Sequence, residues 1–225
     1  MERLHAVPRV RPLLQAVHGK TGSGKRRHPS LKWTLGIQVL PRTPERSGGD
    51  IMIANTVGFI GGGRIARIIL GGWKRAGFLP AEVVVSETNA EALEKLTAQF
   101  PTVRSTPDAS WPLGQMECIF VALHPPVLLD ALKPLVGHLR NDAVVVSLAP
   151  KVTVARLTEA LGGFARIARA IPNAPSLVGA GFNPVSFGPK LDETGREQVL
   201  RLLRPLGACP VVPEEHLEAF AVLTA

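Results

Sequence analysis

Gly61, Gly63 and Ala66 stand at the spacing G-x-G-x-x-A inside the run VGFIGGGRIARIILGG (57–72), and each residue type has a chemical reason to be there. Gly61 permits a tight turn. Gly63 has no Cβ to keep a diphosphate away from the backbone, and Ala66 is small enough to let a following helix lie close to the preceding strand. A helix starting at such a turn has first-turn N–H groups without intrahelical partners and a partial positive charge, so it attracts an anion. The pattern predicts a pyrophosphate cradle for a dinucleotide at Gly61, Gly63 and Ala66, with Arg64 beside it. A phosphate-free βα turn is the plain alternative. Arg64 has two readings, a phosphate contact or a solvated side chain.

A second polar group, SETN (86–89), follows the next strand-like run, EVVVS. An acid at that point in a dinucleotide-binding unit accepts hydrogen bonds from the adenosine ribose and repels a 2′-phosphate. Glu87 has that position. No arginine stands in the loop to bind a 2′-phosphate, although Ser86 and Thr88 have hydroxyls to donate to one. The local chemistry leans to NADH, with NADPH kept open. Glu87 has an alternative task in capping the helix expected from Asn89.

These groups need a frame that brings them to one edge. From Met52 onward the pattern alternates: a strand over 56–60, a helix over 64–75, a strand over 82–86, a helix over 89–100 and a short strand at TVR (102–104). MECIFVAL (116–123) is nearly continuous in apolar residues, as a parallel strand covered on both faces is. A helix over 127–139, the strand AVVVSL (143–148) and a helix over 153–161 follow. FNPVSFG (182–188) and GACPVVP (207–213) read as shorter edge strands around a helix over 192–206. Regular alternation predicts an α/β fold of Rossmann type, a doubly wound and mainly parallel sheet. In FARIARAIP (164–172), Arg166 and Arg169 are three apart. That places them on opposite faces of a strand, so the segment reads as an exposed edge or strand end.

Composition narrows the class. The 225 residues carry 26 Lys and Arg against 18 Asp and Glu, but ten of the bases and only three of the acids lie in residues 1–50. Sixteen bases and fifteen acids remain, so the body is nearly neutral and calls for no nucleic-acid partner. The basic segment 1–50 reads as a mostly disordered extension. It is either a targeting or binding arm or, preferred, translated upstream sequence before a start at Met52. It includes GKTGSGKR (19–26), a partial P-loop match with Arg26 in place of Ser or Thr and no flanking strand or helix to hold a cradle. No apolar run is long enough for a membrane helix. Cys118 and Cys209 sit in apolar runs without metal-ligand spacing, which suits core thiols in a cytoplasmic, reducing setting.

The segments VGFIGGGRIARIILGG, FVALHPPVLLDALKPL, VVSLAPKVTVARLTEALG, ARAIPNAPSLVGAG and EEHLEAFAVLTA occur in the order seen in pyrroline-5-carboxylate reductases. The resemblance runs from about Asn55 to the last residue. It implies an NAD(P)-binding domain over 51–213, and at 214–225 the start of a helical domain that in this family forms a homodimer and most of the substrate pocket. It also implies dinucleotide contacts from Ile60, Gly61, Gly62, Gly63, Arg64 and Ile65 in the glycine turn, from Ala122, Leu123, His124 and Pro125 after the fourth strand and from Leu148, Ala149 and Pro150 after the fifth. Asn173 matches an asparagine near the nicotinamide. The chain departs from the family pattern at His124, where Lys is usual, at Pro150-Lys151, where Ala-Gly is usual, and at Ala174, where Thr is usual. A polar Asn expected near Asp108 and Ala109 is missing.

His124 and Lys151 join Asn173 as candidate catalytic residues. His124 either packs on Pro125 or donates to substrate or nicotinamide. Lys151 either stays solvated or holds a substrate carboxylate, since a cation after a strand of this fold faces the ligand crevice. The expected reaction is NAD(P)H-dependent reduction of a cyclic imine to proline. A protonated imine already attracts hydride, so such a site needs alignment and shielding more than an acid–base pair, and no metal. Imine reductases, hydroxyacid or prephenate dehydrogenases, and a non-catalytic dinucleotide-binding module stand as alternatives.

Overall fold

A computed structural model describes residues 54–107 and 111–223. The extension 1–50, its P-loop-like stretch, Met52, and Asp108 with Ala109 lie outside the described residues.

In chain order the elements are β1 (Thr56–Ile60), α1 (Arg64–Arg75), β2 (Glu82–Ser86), α2 (Ala90–Gln99), β3 (Arg104–Thr106), a single turn α3 (Trp111–Gly114), β4 (Cys118–Val121), α4 (Pro125–Leu132), β5 (Val144–Ser147), α5 (Val154–Ala160), β6 (Ile167–Ala170), β7 (Gly181–Phe182), β8 (Val185–Phe187), α6 (Glu193–Leu203), β9 (Gly207–Ala208) and α7 (Glu214–Leu223). The main sheet has the order β3-β2-β1-β4-β5-β6-β8. Its strands are parallel except β8, which runs antiparallel to β6 at the edge. β7 and β9 form a separate two-stranded ribbon. This is the Rossmann-type architecture that the alternation predicts.

Two apolar layers hold the sheet. On one face Val57, Phe59, Val85, Phe120 and Val146 pack under Ala66, Ile69, Leu70 and Trp73 of α1 and Val199, Leu202 and Leu203 of α6. The helical spacing of the α1 residues puts all four on one side, which is why the helix lies flat on the strands. Phe59 and Phe120 stack at 5.1 Å, and Trp73 meets Phe120 edge-on at 5.9 Å. The Trp73 indole N–H donates to the Leu202 carbonyl at 2.6 Å and so joins the two helices. On the other face Val84, Ile119, Val121, Val145 and Ile167 pack under Leu128 and Leu132 of α4 and Leu157 of α5. Cys118 and Cys209 are free and buried, as core thiols. Burial pushes the Cys209 thiol up to about 12.

Three expectations need correction. The helix expected over 127–139 begins at Pro125, because proline is accepted in a first turn, and gives way at Lys133 to a 3-10 turn containing Pro134. The TVR strand forms instead as Arg104–Thr106. The largest correction concerns Arg169. All four residues of β6 are buried, and Arg169 is 1% exposed where an exposed edge was expected. β8 covers that edge, and two carboxylates from α7 compensate the charge. Arg166, just before β6, is partly exposed and pairs with Asp192 at 2.8 Å.

Candidate functional site

Strand order reverses between β1 and β4, and in open α/β sheets the ligand crevice opens beyond the carboxyl ends of the strands at that point. The register makes this edge definite. Ile60 pairs with Ser86 on one side and Val121 on the other, Val121 with Ser147, and Ser147 with Arg169. The core rows below are apolar, whereas this last row carries Ser86, Ser147 and Arg169. The turns that hold the candidate residues spring from it.

Gly61 adopts φ +97°, and a Cβ there would stand 2.8 Å from the Ala122 carbonyl oxygen and from Leu123. The first glycine is thus required by the turn and by its contact with the segment after β4. Gly63 has no heavy atom within 4 Å of a notional Cβ, so the space above it is open. Ala66 is fully buried against the sheet. Gly61 and Ala66 therefore do the turn and packing tasks assigned from their types, and the space above Gly63 is free for the third.

α1 begins at Gly63 with no side-chain cap and no acid in its first turn. By contrast Asn89 caps α2 by accepting from Ala92 N–H at 2.9 Å, Thr153 caps α5, and Asp192 caps α6. α4, which starts after His124, also lacks a side-chain cap. α1 thus keeps its first-turn N–H groups free of side-chain oxygens, whereas α4 opens with Pro125 and Pro126, which have no N–H to offer. An uncapped terminus like that of α1 suits an anion.

Glu87 is fixed by two backbone groups. Its Oε2 accepts from Gly62 N–H at 2.8 Å and its Oε1 from Asn89 N–H at 2.7 Å. The carboxylate thus braces both the glycine turn and the entry to α2, while Asn89 itself supplies the cap. A cleft of about 440 Å³ lies beside it, lined by Ile60, Gly61, Ser86, Glu87, Thr88 and Leu123 together with Pro107, Val127, Ala131 and Pro134. The last four were not anticipated. Val127 and Ala131 recur at helical spacing along α4, Pro134 follows in the 3-10 turn, and Val127 is 55% exposed while its neighbour Leu128 is buried. A second apolar stripe on α4, beside the core stripe Leu128 and Leu132, was the available signal.

Beyond the cleft, Arg64 is exposed and lines a separate depression of about 140 Å³ with Arg67, Ile68, Gln99 and Leu177. Ile65 packs against the core from the partly buried side. Ala122 donates its N–H to the Ile60 carbonyl, and Leu148 donates to that of Val121, which anchors the loops after β4 and β5. His124 and Lys151 are exposed, Pro125 and Pro150 are half-buried, and Ala149 is buried. Lys151 adopts φ +64°, a conformation that favours glycine. Asn173 is half-buried, and its Oδ1 accepts from Phe182 N–H at 3.1 Å. No group of three or more potential metal ligands occurs among the described residues.

Residues 56–151 match the family described as NADP oxidoreductase, coenzyme F420-dependent. The pyrroline-5-carboxylate reductase of Escherichia coli (strain K12) is 32% identical over 159 residues, covering 70% of this chain. The structure of a pyrroline-5-carboxylate reductase from Coxiella burnetii superposes with a TM-score of 0.69 at 27% identity, over 77% of this chain and 64% of that one. The chain is thus similar to pyrroline-5-carboxylate reductases in sequence and in fold. It spans 59% of the length of the Escherichia coli relative. A Plasmodium falciparum pyrroline carboxylate reductase crystallised with NADP shares the fold, with a TM-score of 0.64 at 17% identity over 75% of this chain and 61% of that one. The resemblance leads one to expect glycine where Lys151 stands, and φ +64° is a conformation that glycine adopts freely.

No helix among the described residues is long and apolar enough to cross a membrane.

Proposed function

We propose that the chain binds NADH or NADPH across the carboxyl edge of the sheet and serves the reduction of a small cyclic imine, as in pyrroline-5-carboxylate reductases. The observation that carries the reading is the open space above Gly63 at an uncapped helix N-terminus, next to a cleft walled by Glu87. A pyrophosphate fits the open cradle. The adenosine lies toward β2, where Glu87 accepts from ribose hydroxyls and Leu123, Val127, Ala131 and Pro134 offer apolar contact to a flat ring. The fixed carboxylate favours NADH over NADPH. Ser86 and Thr88 complete the ribose end.

The other nucleotide then runs toward the loops after β4 and β5, with Ala122, Leu123, His124, Pro125, Leu148, Ala149 and Pro150 around it. Bound there, a reduced nicotinamide supplies hydride. The residues of this chain hold its ring, exclude water and orient the acceptor carbon. Asn173, fixed through its Oδ1 to Phe182 N–H, has an amide NH₂ group to orient a carbonyl or carboxylate. Lys151 and His124 supply donors at the rim. Homodimer formation and a cytoplasmic setting belong to the same proposal, by analogy with the family.

Titration of reduced-nicotinamide fluorescence tests the reading. Saturable binding that Gly63→Val abolishes is the expected result, because a branched side chain would fill the cradle. Binding unaffected by that change would overturn the assignment.

A further inference from the structure

Arg169 is the charged residue buried in the last row of the sheet, and each of its two carboxylate partners also holds a backbone group of the loop after β5. Glu214 Oε1 accepts from Arg169 Nη1 at 3.0 Å and from Val154 N–H at 2.7 Å. Glu218 Oε1 accepts from Arg169 Nη2 at 2.5 Å and from Lys151 N–H at 2.9 Å. Arg169 Nη2 reaches the Ala149 carbonyl as well, at 3.4 Å. The guanidinium thus joins β6, the first turn and a half of α7, and residues 149–154 into one unit.

A buried guanidinium carries a desolvation cost that only good pairing offsets, so its charge is a poor choice for stability alone. The loop it holds contains the one non-glycine residue with positive φ among the described residues, Lys151. Strained backbone persists where surrounding contacts over-determine it, and the N–H bound by Glu218 is that of Lys151 itself. The loop follows β5, on the opposite side of the switch point from Glu87, where the second nucleotide of a dinucleotide lies if the first lies against β2.

We propose that Arg169 is a positioning residue: through Glu214 and Glu218 it clamps the 149–154 loop to α7 and sets the wall of the crevice against the nicotinamide half of the cofactor. The inference rests on the dinucleotide reading above. α7 is thereby coupled to the crevice, and a shift of that helix moves the loop.

The test uses the full 225-residue chain and three variants: Glu218→Ala, Arg169→Lys and, as a control, the neighbouring exposed Glu215→Ala. Affinities for NADH and for ADP-ribose, which lacks the nicotinamide, are measured together with hydrogen exchange at the Lys151 and Val154 amides. Glu218→Ala should weaken NADH by about fivefold or more and leave ADP-ribose within about twofold, with faster exchange at Lys151. Arg169→Lys should show the same selectivity and faster exchange at both amides, and Glu215→Ala should resemble the unaltered chain. Equal losses for both ligands in Glu218→Ala, or no loss for either, would overturn the clamp, as would unchanged exchange at Lys151. Should Arg169→Lys fail to fold, Glu218→Ala decides alone, since its side chain is 37% exposed. An unaltered chain that binds neither ligand would overturn the dinucleotide reading and this inference with it, whereas retained ADP-ribose binding separates the two.

Discussion

Glu87 and Gly62, 25 residues apart, are joined by a 2.8 Å hydrogen bond from the glycine N–H to the carboxylate Oε2. The bond ties the acid after β2 to the turn after β1, so the negative charge stands at a fixed place beside the cleft. Glu87→Gln keeps an oxygen acceptor and removes the charge. The ratio of NADPH to NADH affinity should rise by about tenfold, as the 2′-phosphate is no longer repelled. Fluorescence titration with both cofactors measures it, and an unchanged ratio would show that Glu87 serves the turn alone.

Gly61 and Gly63 should separate stability from binding. Gly61→Ala forces φ +97° on an alanine and brings its Cβ to 2.8 Å from a backbone oxygen, a loss of about 2–4 kcal/mol. Gly63→Ala meets nothing in the protein, so the melting temperature should hold while cofactor affinity falls. Calorimetry beside titration distinguishes the pair. The same response in both variants would contradict the division of labour.

Lys151→Gly should not destabilise the chain. Relief of the left-handed conformation is worth about 1–2 kcal/mol, and the added chain entropy of glycine takes back about 0.5–1 kcal/mol. A net gain of roughly 0–1.5 kcal/mol is expected in denaturant unfolding. Lys151→Ala removes the same cation and retains the strain, so a difference between the variants reports backbone and a shared effect reports charge.

Asp192 links pH to stability. Hydrogen bonds from Arg166, first, and from Gly195 N–H hold its carboxyl below the usual carboxylate range. A lowered folded-state pKa adds stability above the unfolded value, and that stability is lost as pH falls through the folded one. Asp192→Asn should therefore be less stable at pH 7, with the gap to the unaltered chain closing below about pH 4. A gap that stays constant down to pH 2 would assign the effect to the cap and not to the charge.

Much of this architecture is legible in the chain by itself. α1 runs from Arg64 to Arg75 as its periodicity predicts, and β2 from Glu82 to Ser86. The glycine spacing announces the turn, since the constraints there act between neighbours: a positive φ, a helix start, a small residue one turn on. The resemblance to reductases rests on the same local motifs, and the similarity to solved relatives agrees with it.

What only the tertiary structure decided is the company kept by the charged side chains. Arg169 reads as an exposed residue when its strand is taken alone, because an unpaired guanidinium does not stay in a core. Its partners arrive 45 and 49 residues later, on α7, and reverse that balance. The apolar wall of Val127, Ala131 and Pro134 likewise acquires meaning only once α4 is laid beside Glu87 across the switch point. Local backbone preference can be read from adjacent residues. The burial of a charge depends on compensation from afar, so it becomes visible only when the fold brings the partners together.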